Sequence, residues 1–91
     1  MKPDYTTKQL KAQLRAGPFA WPGGYPLYFV ADDGEALSFD AVRDNFRSVL
    51  SSMRSRTNDG WRVVGCEINY EDAGLYCAHT GKRIESAYTE D

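Results

Sequence analysis

The sequence predicts a small α+β fold, with one main amphipathic helix packed on a mostly antiparallel sheet of three or four strands and a short peripheral N-terminal helix. Three observations lead there. The chain has 91 residues, the length of one domain. An apolar stripe of helical period runs through 39–56. Two apolar runs, 27–31 and 61–70, flank that stripe and are bounded by turn residues, as strands are. Hydrophobic residues make up 42% of the chain and aromatics 13%, enough apolar material for one thin core and too much for a disordered chain.

Residues 1–16 read as the peripheral helix. Thr6 or Thr7 can cap it, Leu10 and Leu14 form its apolar i, i+4 pair, and Gly17-Pro18 stops it. Two leucines can dock a helix but not fold it alone, so loose packing, or ordering on a partner, is expected. Residues 17–91 are expected to form the single compact α+β unit. Its first ten residues, Gly17 through Pro26, hold three prolines and three glycines around Phe19, Trp21 and Tyr25. Such backbone resists helix and interior strand, and a rigid aromatic loop is expected. A lid on the core is the plainer reading; a binding loop presenting Trp21 or Tyr25 is the sharper one.

Residues 27–31 are apolar on both faces and therefore predicted to be the central strand. Asp32-Asp33-Gly34-Glu35 is turn chemistry, leading to a short return strand through Ala36 and Leu37. Ser38 then caps the main helix. Phe39, Val42, Phe46, Val49, Leu50 and Met53 fall within an arc of roughly 100° at helical pitch. Arg43, Arg47 and Arg54 share one flank with Asp40 and Asp44. Within the second long strand, Val64, Cys66, Ile68 and Tyr70 alternate onto the expected core face, and Gly65 suggests a bulge or a close backbone approach. A last hairpin is expected from 75–77 and 83–84.

Charge and composition narrow the function. Eleven basic and 13 acidic residues leave a net charge of −2, which argues against a general nucleic-acid binder. No stretch approaches the roughly 20 apolar residues of a membrane span. Two cysteines imply no disulfide framework, and a cytoplasmic location is expected. The acids cluster locally, at Asp32, Asp33 and Glu35 and again at Glu67, Glu71 and Asp72.

Candidate chemistry is sparse. In Cys77-Ala78-His79-Thr80-Gly81-Lys82-Arg83-Ile84 the first cysteine, the glycine and the apolar residue of a zinc knuckle are present, but Thr80 stands where the second thiolate belongs. Cys66 and His79 would bring the ligands to three at best, so no metal and no cofactor is expected, and Cys77 reads as a small core residue. A Cys77–His79 nucleophilic pair has no evident orienting acid or oxyanion hole, and no catalytic residue is assigned. Glu71 and Asp72 could hold a cation, though a solvated turn is the plainer reading. The arginine flank could meet an acidic surface, but Asp40 and Asp44 neutralise part of its charge.

From Gly17 onward the chain resembles a group of small uncharacterised proteins encoded by phages, plasmids and integrating elements. The residues that carry the resemblance are Trp21-Pro22-Gly23-Gly24-Tyr25-Pro26, Asn69-Tyr70-Glu71-Asp72, and Tyr76-Cys77 through Ser86-Ala87-Tyr88. It implies an origin in mobile DNA, and a complete knuckle at positions 77 and 80 in some members, which Thr80 breaks here. No catalytic residue carries over. The expectation is a non-enzymatic module that acts stoichiometrically on a host protein or nucleoprotein, as an anti-defence inhibitor of the anti-CRISPR type would, with no direct nucleic-acid or membrane contact. The candidate partner surface comprises Trp21, Tyr25, Asp32, Asp33, Glu35, Arg43, Arg47, Glu71 and Asp72, on a monomer or homodimer. The alternative is a degenerate zinc-ribbon-like adaptor touching nucleic acid through its arginines.

Overall fold

A computed structural model describes residues 5–20, 23–57, 59–72 and 74–87. Helix α1 spans Thr7–Ala16. It starts there because Thr6 closes a capping box: its hydroxyl accepts the Gln9 N–H at 3.1 Å, and the Gln9 side chain accepts the Thr6 N–H at 2.7 Å. Gly17, at φ +101°, ends the helix and donates its N–H to the Gln13 carbonyl. Leu10 is wholly buried in the core, with Leu14 packed against it. This anchor is firmer than the loose packing that two leucines suggest.

The proline-glycine stretch is a hairpin rather than an irregular loop. Strand β1, Phe19–Ala20, pairs with the start of β2, Tyr25–Ala31. Proline is tolerated at 26 because it sits where the sheet ends. Pro26 accepts the Asn69 N–H at 2.9 Å but has none to return, and the Asn69 carbonyl takes the Ala87 N–H instead.

Strand β2 is central, as its two-sided apolar sequence predicts. Leu27 and Ala31 direct their N–H groups toward Pro18 and Glu35 on one edge, where β1 and the short β3, Ala36–Leu37, lie. On the other edge, the Pro26 carbonyl and the Asp32 N–H meet Asn69 and Arg62, and β4, Val63–Ile68, runs antiparallel alongside. The turn from β2 to β3 has the expected chemistry. Gly34 lies at φ +84° and donates to the Ala31 carbonyl, while Asp33 accepts the Glu35 N–H at 3.0 Å.

The register of β4 corrects one face assignment. Cys66 and Ile68 stand opposite Phe29 and Leu27, on the core side as expected. A β-bulge then intervenes, so that Val63 rather than Val64 stands opposite Ala31. Val63 is 1% exposed and Val64 46%. Gly65 lies at this irregularity, and a Cβ there would meet open space, so it marks the bulge and not a close approach. Tyr70 falls beyond the strand and is exposed.

The stretch expected as one long helix is two. Ser38 caps α2, Phe39–Asp44, accepting the Ala41 N–H at 3.1 Å, and α3, Phe46–Ser55, follows after Asn45. Asn45 leaves helical geometry at φ −118°, ψ 33°, and its side-chain amide donates to the Ala41 carbonyl at 2.9 Å, the same acceptor its backbone N–H uses. That local bond competes with the regular ladder and breaks the helix while preserving its apolar stripe. Arg56 closes α3 in the left-handed region at φ 56°.

The three helices among the described residues gather on one face of the sheet. Phe29, Phe39, Val42, Val49, Leu10 and Val63 form the core there, with the Phe29 and Phe39 rings 4.4 Å apart. The C-terminal hairpin carries a single β-bridge, Tyr76 with Arg83, and adds Cys77 and Ile84 to that core.

Candidate functional site

The face of the sheet turned away from the helices carries the strongest candidate surface. Alternation along β2 puts Tyr28 and Val30 on it, and register places Glu67 opposite Tyr28 and Ala36 opposite Val30. The stretch Gly74-Leu75-Tyr76 forms a wall along this face. The result is a groove of about 470 Å³, with Tyr28, Val30, Ala36 and Leu75 lining it alongside Tyr76, Glu35 and Glu67. Tyr76 is 55% exposed. The Tyr28 phenol is held above its ordinary pKa, first by partial burial and then by the negative charges of Glu67, Asp72 and Cys66. A carboxylate of β4 and one of the segment that follows it therefore act at one ring.

What fixes the groove's wall is Asn69, whose role in the fold is invisible in its local sequence. Although polar, it is only 3% exposed. Its side-chain amide donates to the carbonyls of Asp72 at 3.1 Å and Glu85 at 3.0 Å, and its side-chain oxygen accepts the Asp72 N–H at 3.1 Å. With its backbone bonds to Pro26 and Ala87, one residue ties the end of β4, the acidic turn and the C-terminal segment together. A buried amide is tolerated because it is satisfied on all sides.

The structure sorts the expected surface residues into separate places. Glu35 lines the groove, and Asp72 acts on it through Tyr28. Asp33 spends one oxygen on its own turn, and Asp32 stands across the strand pair from Arg62, its N–H bonded to the Arg62 carbonyl at 2.9 Å. Glu71 is exposed beside Asp72, whose carboxylate accepts the Gly74 N–H at 2.9 Å. The Tyr25 ring meets that of Tyr70 at 5.7 Å, forming an aromatic pair outside the groove. Trp21 lies outside the described residues.

Arg43 and Arg47 belong to the helical side and do not join the acids. The break at Asn45 places them on different helices. Arg43 pairs with Asp40 at 3.7 Å and donates to the Leu14 carbonyl at 3.4 Å. Among the described residues no ion pair joins Asp44 to Arg47. Arg43 borders a second pocket, of about 250 Å³, whose apolar floor includes Phe19, Leu27 and Phe39. Its two arginines, Arg43 and Arg83, are matched by Asp40 and Glu85, so no net charge selects a ligand there.

The cysteine hairpin has an electrostatic character of its own. Cys77 is 2% exposed, and its sulfur accepts the Ser38 N–H at 3.3 Å. Burial raises its thiol pKa, but hydrogen bonds from the Thr80 side chain, the Ser38 backbone and the Thr80 backbone outweigh that and bring it down to about 7. Thr80 thus gives the sulfur a hydrogen bond where a knuckle would present a second thiolate. His79 turns instead toward Trp61, with ring centroids 4.9 Å apart. Cys66 is pushed up to about 11 by burial and by Glu67. Both cysteines are free, and no three His, Cys, Asp or Glu side chains converge as metal ligands among the described residues. No helix among them is long and apolar enough to cross a membrane.

No family model, curated protein or solved structure matches this chain.

Proposed function

We propose that this protein is a non-enzymatic binding module that acts stoichiometrically on a protein or nucleoprotein partner through the open face of its sheet. The observation carrying this reading is the convergence there of Tyr28, Val30 and Tyr76 with the carboxylates Glu35 and Glu67, with Val64 exposed on the neighbouring strand β4. Exposed tyrosine and aliphatic surface beside unmatched acids has the make-up of an interface core with a charged rim. The negative charge repels phosphate, so the surface suits a basic protein, or the basic cleft of a nucleoprotein whose nucleic acid it would displace. Inhibition of a host defence complex by a protein of mobile-element origin is one role of that kind. Arg43, tied to Asp40 and Leu14, gives no comparable support to a nucleic-acid adaptor.

Site-specific photo-cross-linking tests the reading. A cross-linker at position 76 should trap one defined partner from a bacterial lysate, and the same cross-linker at Ser51 on α3 should not. Equal trapping at both positions, or none at 76, would refute it.

A further inference from the structure

The groove's make-up allows the occupant to be narrowed, on the reading just given that this face binds a partner. Its floor is apolar at Val30, Ala36 and Leu75, its polar rings are Tyr28 and Tyr76, and its charges are Glu35 and Glu67. No lysine or arginine lines it among the described residues. Arg62 stands instead across from Asp32, further along the strand pair. An aliphatic occupant would cover the floor but leave two carboxylates facing it. A phosphate-bearing occupant would be repelled. A cation with a flat apolar face satisfies floor, rings and carboxylates together. Guanidinium fits better than ammonium, because it is planar, weakly hydrated, stacks on tyrosine and offers several donors to a carboxylate. The volume of about 470 Å³ holds such a side chain together with the backbone that carries it.

We propose that the groove between Tyr28, Tyr76, Glu35 and Glu67 receives an arginine side chain presented by a segment of the partner protein. Asp72, close enough to act on the Tyr28 phenol, extends the negative field toward the incoming chain. The contact is electrostatic at its rim and weakens as salt is added.

The probe is a blocked Gly-Arg-Gly-Arg-Gly peptide, titrated at millimolar concentration into the isotope-labelled full chain and followed by amide chemical shifts. A matched peptide with citrulline in place of arginine keeps the shape and removes the charge. The arginine peptide should shift the amides of Tyr28, Val30, Glu67 and Tyr76, and the citrulline peptide should not. Glu35→Gln and Glu67→Gln, both at exposed positions, should each weaken binding by about fivefold, and the double variant should abolish it. Equal shifts from both peptides, shifts centred on Asp40 and Glu85, or indifference to the double variant would overturn the proposal. So would shifts that follow protein concentration without peptide, which would point to a second copy as the occupant. Failure here is distinct from failure of the binding reading. If cross-linking at 76 survives Glu35→Gln with Glu67→Gln but is lost in Val64→Asp, the face is an interface and arginine is not what it reads.

Discussion

Phe29 and Tyr28 are neighbours in the central strand, yet they meet opposite environments. Phe29 is enclosed by Phe39, Val42, Val49 and Leu10, which three helices bring over one face of the sheet. Tyr28 looks out on the other face, where one loop wall, two glutamates and exposed aromatic surface stand in place of a helix layer. A strand with apolar residues on both faces ordinarily means burial on both. Here the second face keeps the apolar chemistry without the cover, and a sheet face left in that condition marks a place for something else to dock.

Substitutions on the two faces should therefore separate stability from binding. Phe29→Ala should cost about 3–5 kcal/mol in urea denaturation, since it empties the centre of the covered face. A loss below about 1 kcal/mol would mean that the helices do not depend on that ring. Asn69→Ala should cost about 1–3 kcal/mol, because it leaves the carbonyls of Asp72 and Glu85 without their donor. It should also loosen the groove's wall, seen as faster hydrogen exchange at the amides of Asp72 and Ala87.

The cysteine beneath Ser38 gives a test by pH. The Cys77 thiol sits at about 7, below its ordinary value of 9.0. The folded state therefore releases this proton more readily, and stability attributable to it grows as pH rises from about 7 to about 9 and is lost as pH falls through 7. Cys66 acts with the opposite sign, its raised pKa of about 11 eroding stability only above 9. Wild-type denaturation midpoints should climb between pH values of about 7 and about 9, and a folded Cys77→Ala variant should show no such climb.

On the open face, Tyr76→Ala and Val64→Thr should each stay within about 0.5 kcal/mol of wild type while abolishing affinity capture of the partner that the cross-linker at 76 traps. A large stability loss at either would mean that the open face is structural. The smallest effect is spectroscopic. Glu67→Gln should lower the Tyr28 phenol pKa without returning it to the ordinary value, since burial is the larger cause of its shift. Ultraviolet titration reads this directly.

Much of this was legible along the chain, and for local reasons. Capping by Thr6 and Ser38, the glycine stop at 17, the Asp-Gly turn and the amphipathic stripe are set by residues within a few positions of one another. The α+β class follows from their order. Some signals were misleading for equally local reasons. Alternation predicted Val64 to be buried, but a single bulge reverses inside and outside beyond it. Prolines argued against strand in 17–26, yet Pro26 fits near the start of β2, where Ala87 supplies the N–H that proline lacks. The one-residue break at Asn45 is small beside the stripe that runs across it.

By itself, then, the sequence determined the α+β class, most of the elements, and the caps and turns between them. Only the tertiary structure decided which acids share a surface, that Arg43 and Arg47 lie elsewhere, and that Asn69 binds three segments together. Short-range hydrogen bonding and side-chain periodicity act through neighbours in the chain. The groove depends on Tyr28, Glu35, Glu67 and Tyr76 lining one surface, residues from separate segments whose meeting is settled by strand register and by which face the helices cover.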